Sequence, residues 1–274
     1  MVEKRSFDLK LDRAEQHLVD FDQQVASYVK GNPYTVTKGL EGKGKRERWV
    51  HRLRIEPISN PWLPIIAGDV LHNMRSALDH VAVASVPRNR RYDAFFPINE
   101  ENIWEIDIHG NLLKKHDASR KAWYTATQGM SKAARAIVKD VQPYNRPDPL
   151  NIGRKHHALV LLSSLENADK HRELSVLVSG VKPTRVTGIL PDGSTEPIGF
   201  EMIPNHILDN DAEIPLHETG LDPAAVNVKV EGTVQVLIGR TGSLKTRGPF
   251  YFGLLDEMLR FIRDEVVTPL GNLI

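Results

Sequence analysis

Apolar residues recur with helical spacing in five segments of the chain. In the first, residues 7–29, they alternate at intervals of three and four, which is typical of a helix that packs on another helix. The second begins after Asn60 with Pro61, a cap followed by proline at the first helical position. The five predicted helices cover residues 7–29, 60–86, 131–142, 149–173 and 249–267. We expect them to form one bundle.

Strand-like patterns occupy two other regions. Residues 34–40 and 47–56 alternate as a hairpin, and residues 174–240 are rich in Val, Ile and Thr with turns between them, which predicts four or five antiparallel strands. Residues 87–118 look irregular, with one short strand at 95–98. The fold class is therefore α+β, mainly a helical bundle with an N-terminal β-hairpin and an antiparallel β-rich subdomain before the last helix.

The expected domain boundaries follow from this order of elements. Residues 1–173 form the bundle, with the hairpin at 34–56 inside it. Residues 174–247 form the β-rich subdomain. Residues 248–274 form a helix that returns to the bundle.

Composition narrows the class of protein but gives no function. The chain has 274 residues, a formal charge of +1 and no cysteine, which excludes thiolate chemistry and any global attraction to nucleic acid. The first residues lack the apolar run of a signal peptide, and no segment approaches the roughly 18 apolar residues of a membrane span. We expect a cytoplasmic protein without a membrane partner.

The most informative stretch is residues 68–80, within the second predicted helix. Its apolar face consists of Val70, Leu71, Met74, Ala77, Leu78 and Val81. Its polar face consists of Asp69, His72, Asn73, Arg75, Ser76, Asp79 and His80. Surface helices are usually solubilised by Lys and Glu, whereas these side chains are suited to directional hydrogen bonds, phosphate contacts and proton transfer. The composition of this face predicts a site.

A second polar cluster lies near the end of the fourth predicted helix. Its helical stripe comprises His156, Ser163, Asn167 and His171, with Asp169 and Lys170 beside it. Bundles build their sites between facing helices. If these two helices pack together, Asn73, Arg75 and His80 are expected to face Asn167, Lys170 and His171.

The two clusters carry a family resemblance. The string from Gly68 to His80, followed by Phe96-Pro97-Ile98, Gln142-Pro143-Tyr144 and residues 167–172 (Asn-Ala-Asp-Lys-His-Arg), resembles a widespread bacterial family that has no established activity. Within it, Arg75 and His80 form an Arg-x4-His pattern similar to that of HEPN domains. Ser76 stands where that motif usually has Asn, Asp or His.

The resemblance implies an all-helical domain that binds nucleotides or RNA. Many HEPN domains are metal-independent ribonucleases that act as homodimers, and bacterial members often serve as toxins or in phage defence. By this resemblance His80 is the general acid or base, Arg75 the phosphate clamp and Asn73 an orienting group. Such roles suit the chemistry, since His titrates near neutral pH and the Arg fork fits a phosphate.

Two alternatives compete with this interpretation. Arg75 and Asp79 are four residues apart and can pair, while Asp69, His72 and Asn73 can cross-link helices, so the polar network would only hold the bundle together. A metal site is the other alternative, with candidate ligands Asp69, His72, Asp79, His80, His156, Asp169 and His171. Neighbouring Arg75 and Lys170 oppose a cation, and we therefore predict neither a metal nor a cofactor.

Basic residues also cluster on the early hairpin. They are Lys43, Lys45, Arg46, Arg48, Arg52 and Arg54. Contact with an RNA backbone is one interpretation. The favoured one is a solvated strand edge whose charge prevents aggregation.

Overall fold

The protein is α+β and divides into two compact units. The computed structural model describes residues 4–146, 157–171, 174–198, 207–216, 219–240, 250–251 and 253–274. The first, the helical unit, comprises residues 1–21, 62–174 and 253–274; the second, the β-rich unit, comprises residues 22–61 and 175–252. The predicted mixture of helices and antiparallel sheet is confirmed. The hairpin, however, groups with residues 175–252, whereas the sequence had placed it in the bundle.

The helices lie mostly in the helical unit. They are α1 (Ser6–Lys30), α2 (Trp62–Ala84), α3 (Asp117–Thr127), α4 (Lys132–Asp140), α5 (Ala158–Lys170), α6 (Leu254–Phe261) and α7 (Thr268–Gly271), with a π-helical stretch at Ile262–Val267 between the last two. The last nine residues of α1 belong to the β-rich unit. The predicted start of the fourth helix at residue 149 lies outside the described residues.

The core of the helical unit contains the apolar face of α2. All six of its predicted core residues are fully buried, as the helical periodicity required. Helix α3 was not predicted, and residues 95–98 form no strand. Residues 95–98 lie between α2 and α3, and side chains of Arg75, Asp79 and Gln142 hold this segment in place of strand pairing.

The β-rich unit contains two sheets in its described part. Strands β1 (Tyr34–Glu41) and β2 (Arg48–Ile55) form the predicted antiparallel hairpin. A second sheet has the strand order β4-β3-β5-β6, formed by Leu174–Ile189 (β3), Thr195–Pro197 (β4), Asn227–Arg240 (β5) and Phe250–Tyr251 (β6). Gly193 has a φ of 83° in the turn that joins β3 to β4, a conformation that glycine adopts without a steric cost.

None of the helices in the described part of the chain is both long enough and apolar enough to cross a bilayer.

Candidate functional site

Arg75 and Asp79 form an ion pair that also fixes the backbone of Phe96. The Arg75 guanidinium donates from Nε to Asp79 Oδ2 at 3.2 Å and from Nη2 to Asp79 Oδ1 at 3.0 Å. Nη2 also donates to the carbonyl oxygen of Phe96 at 3.0 Å, while the Phe96 N–H donates to Asp79 Oδ1 at 2.9 Å. Both backbone groups of Phe96 are thereby satisfied by one side-chain pair, which a buried segment without regular structure requires.

Gln142 holds the same segment from the other side. Its side chain is fully buried, and Nε2 donates to the carbonyl oxygens of Pro97 at 3.0 Å and Val138 at 2.8 Å. Its Oε1 accepts from the Asn99 N–H at 2.8 Å. Residues 96–99, the Phe96 segment, therefore contain one of the sequence motifs that carry the family resemblance and contact two others, those of α2 and of Gln142. The sequence pattern around Gln142 carries the resemblance but predicts no role for this side chain.

The contact between α2 and α5 is made by Gly68 and Asp169. The Asp169 carboxylate lies so close to the Gly68 backbone that a Cβ there would stand 2.7 Å from Asp169 Cγ. Burial raises the pKa of the Asp169 carboxyl, and the charges of Asp69 and Glu166 raise it further, against His72 and Lys170, which lower it. Lys170 is paired with Glu166 at 2.9 Å. Glycine at position 68 thus makes room for a carboxylate between two helices.

The remaining side chains of the predicted site are mostly open to solvent. Asn73 is buried and donates from Nδ2 to the Asp69 carbonyl oxygen of its own helix at 2.8 Å. His80 is half-buried, and within the described residues no hydrogen bond to its ring is found. The exposed members are Asp69, His72, Ser163, Asn167, Lys170 and His171. The stripe on α5 was therefore the solvated face of that helix.

The structure separates the predicted constellation into two groups. Asp69 and His72 lie near Asp169 at the α2–α5 contact, whereas Arg75 and Asp79 engage the Phe96 segment. Among the described residues no hydrogen bond or ion pair links Arg75 or His80 to Asn167, Lys170 or His171. An α-helix rises about 1.5 Å per residue, so Asp69 and His80 are about 16 Å apart along the axis of α2.

The metal alternative has no geometric support in the described chain. Of its candidate ligands, His156 lies outside the described residues. The described ranges contain no group of three His, Asp or Glu side chains placed to hold a metal ion.

Of the six basic residues predicted to cluster on the hairpin of the β-rich unit, three are paired with carboxylates. Arg48 pairs with Glu213, Arg52 with Glu41, and Arg54 with Asp211 at 2.8 Å. The hydrogen bond from Arg52 lowers the pKa of the Glu41 carboxyl. Strand β2 also exchanges backbone hydrogen bonds with residues 211–214, so it is not the free edge that the sequence suggested.

His51 is the buried titratable group of this hairpin. Its ring is 1% exposed, and Nε2 lies 3.1 Å from the carbonyl oxygen of Val226, so Nε2 carries the hydrogen. Lys38, its partner across the hairpin, donates to the same oxygen at 3.3 Å. Burial lowers the pKa of His51; the Val226 contact opposes this shift, and the Lys38 charge adds to it.

Comparison of the chain with protein-family models, with curated proteins and with solved structures gives no match.

Proposed function

We propose that the helical unit is a HEPN-like RNA- or nucleotide-binding module whose α2 presents Arg75 and His80 to the ligand. The proposal is supported by the hydrogen bonding of these two side chains. The Arg75 fork is oriented by Asp79, yet its Nη1 has no hydrogen-bond partner among the described residues. His80 lies five residues further along α2. It is half-buried, and within the described residues no hydrogen bond to its ring is found.

This pair suits metal-independent cleavage of RNA. The guanidinium supplies a fixed cation for a phosphate oxygen, with its direction already set by Asp79 and Phe96. The imidazole supplies a group that takes the proton of the 2′-hydroxyl or protonates the leaving oxygen near neutral pH. Because Arg75 and His80 are five residues apart, about 140° around the helix, they flank a groove rather than touch.

The family resemblance adds a homodimer to the proposal, with a cytoplasmic role as a toxin or in phage defence. In HEPN ribonucleases the Arg and His of two protomers meet at a shared cleft. Multi-angle light scattering on the purified protein is expected to give twice the mass of the 30.8 kDa chain. A single-chain mass at all concentrations would remove the dimeric cleft from the proposal.

The decisive experiment is cleavage of single-stranded RNA in the presence of EDTA. We expect wild-type protein to cut, and His80→Ala to lose at least about 100-fold in rate, as expected for loss of a general acid or base. Its melting temperature should stay near that of wild type. His17→Ala, a half-buried histidine on α1, is the matched control and should cut normally. The proposal of cleavage fails if wild-type protein leaves RNA intact or if His80→Ala cuts at the wild-type rate.

A non-enzymatic role is the second candidate, favoured by the contact of Arg75 and Asp79 with Phe96. In that case the polar face of α2 only anchors the Phe96 segment. Arg75→Ala would then lower the melting temperature, and neither Arg75→Ala nor His80→Ala would change any RNA affinity.

A further inference from the structure

A cavity of about 600 Å³ opens on α3 of the helical unit, and its lining does not include Arg75, Asp79 or His80. Its volume lies within the range of small-ligand sites. Lys121 and Tyr124, three residues apart on one face of α3, line it, and Gln128 lines it just beyond the end of that helix. Arg135 lines it from α4.

The cavity is electropositive. Its lining contains the cations Arg120, Lys121 and Arg135 and a single carboxylate, that of Asp117. Arg120 is 6% exposed and pairs with Asp117, and it also donates to two backbone carbonyl oxygens, so it stiffens the wall. No carboxylate pairs with Lys121 or Arg135 within the described chain, which leaves two cations available for an anion.

A further cation stands at the rim. Gly129, a lining residue with a φ of 93°, has no room for a side chain because its Cβ would lie 2.7 Å from Cδ of Pro87. Arg90 Cγ lies 3.6 Å from the same point. The exposed basic turn Arg88–Arg90 therefore lies beside the cavity, where it adds to the positive potential.

Tyr124 offers an aromatic surface in the same cavity. Its side chain is 54% exposed, although large apolar side chains are usually covered. The rings of Trp104 and Trp123 meet it nearly at right angles, at centroid distances of 5.7 and 5.5 Å, so the Tyr124 ring is held in one orientation. A fixed and exposed ring beside unpaired cations is the arrangement that proteins use to stack a nucleobase next to its phosphate.

We propose that this cavity binds a nucleotide, with the base stacked on Tyr124 and the phosphate held by Lys121 and Arg135. Gln128, the residue that follows α3, also lines the cavity and supplies an amide for the edge of the base. The ligand is a free nucleoside phosphate or one nucleotide of a single-stranded RNA, since both present the same chemistry. This site is independent of Arg75 and His80, and a binding measurement addresses it without reference to cleavage.

The test is isothermal titration calorimetry with the full chain and five probes: AMP, adenosine, ribose 5-phosphate, inorganic phosphate and a single-stranded RNA of about ten nucleotides. We expect AMP to bind with a dissociation constant below about 1 mM, and adenosine, ribose 5-phosphate and phosphate each to bind at least about tenfold more weakly. RNA that binds much more tightly than AMP identifies a strand as the ligand, whereas AMP binding without RNA binding identifies a free nucleotide.

Variants separate the two halves of the proposed site. Tyr124→Leu should weaken AMP binding about tenfold and Tyr124→Phe should restore it, because only the ring is needed for stacking. Lys121→Glu and Arg135→Glu should each weaken binding at least about tenfold and reduce its dependence on salt. Lys30→Glu, an exposed lysine of the β-rich unit, is the control and should bind as wild type. Thermal melting of each variant confirms that it is folded.

Three results would overturn the proposal. One is the absence of binding by wild-type protein to both AMP and RNA at about 1 mM. Another is AMP binding that Tyr124→Leu, Lys121→Glu and Arg135→Glu leave unchanged. The third is inorganic phosphate or ribose 5-phosphate binding as tightly as AMP, which would show a phosphate site without recognition of a base.

Discussion

Substitution of Gly68 by alanine tests the contact between α2 and α5 most directly. The new Cβ would stand 2.7 Å from Cγ and 2.9 Å from Oδ2 of Asp169, well inside ordinary van der Waals contact. Asp169 must then leave its position or the helices must separate. Overpacking of this kind costs about 1–3 kcal/mol, while alanine gains about 1 kcal/mol over glycine inside a helix. We expect Gly68→Ala to lower the free energy of unfolding by up to about 2 kcal/mol.

The same substitution should have the opposite effect once Asp169 is removed. In an Asp169→Ala background the collision is gone and only the helix propensity remains, so Gly68→Ala should stabilise the protein by about 1 kcal/mol. Asp169→Ala alone should change stability little at neutral pH, because it removes a carboxylate whose pKa is raised by burial and by the neighbouring charges of Asp69 and Glu166.

The measurement is urea unfolding of the four proteins in this cycle at neutral pH, with the coupling energy taken from the cycle. Gly253→Ala is the control, since nothing lies within 4 Å of a Cβ at that position, and its effect should be the same in both backgrounds. A coupling energy near zero between positions 68 and 169 would refute the packing argument.

Three further predictions follow from other parts of the molecule. Gln142→Leu should lower the free energy of unfolding by about 1–3 kcal/mol, because it leaves backbone groups of the buried Phe96 segment without partners. Chemical unfolding measures this, and Gln128→Leu, at an exposed position just after α3, should have little effect. Wild type should lose free energy of unfolding as the pH falls below about 6.5, because the lowered pKa of His51 keeps the folded ring neutral while the unfolded one gains a proton. His51→Gln should abolish this loss, and identical pH profiles of the two proteins would contradict the prediction. Asp169→Asn should become more stable relative to wild type as the pH rises from about 3 to 7, since a raised carboxyl pKa favours the folded state only while the group is protonated. Urea unfolding of both proteins at several pH values tests the sign of this difference in stability.

The apolar pattern predicted the helices that bury a regular stripe, but not α3. The buried positions of α3 are Arg120, Trp123, Ala126 and Thr127. Two of these four are polar, so hydrophobic periodicity gives almost no signal there. Arg120 is buried because backbone carbonyl oxygens and Asp117 satisfy its guanidinium, and such partners are not visible from the local sequence. Because the sequence pattern did not predict α3, it did not predict the cavity on this helix either.

The opposite error affected α5. Its polar residues at four-residue spacing predict a stripe that faces α2, yet Ser163, Asn167 and His171 are exposed. Spacing alone shows that residues share a face of a helix. Which face is buried depends on the competing apolar residues, and in α5 these are leucines at positions 159, 161, 162 and 165.

The polar face of α2 shows why one set of residues supports two interpretations. A buried backbone segment needs fixed donors and acceptors, and a phosphate site needs a fixed donor, so both demands select an oriented arginine beside a carboxylate. In this structure Asp79 binds Nε and Nη2 of Arg75, and Phe96 binds Nη2 as well. Anchoring of the Phe96 segment therefore accounts for Nε and Nη2 of the guanidinium. Within the described residues Nη1 and the His80 ring have no hydrogen-bond partner, so the anchoring role explains Arg75 and Asp79 but does not explain His80. His80→Ala is therefore the substitution that separates the two functions.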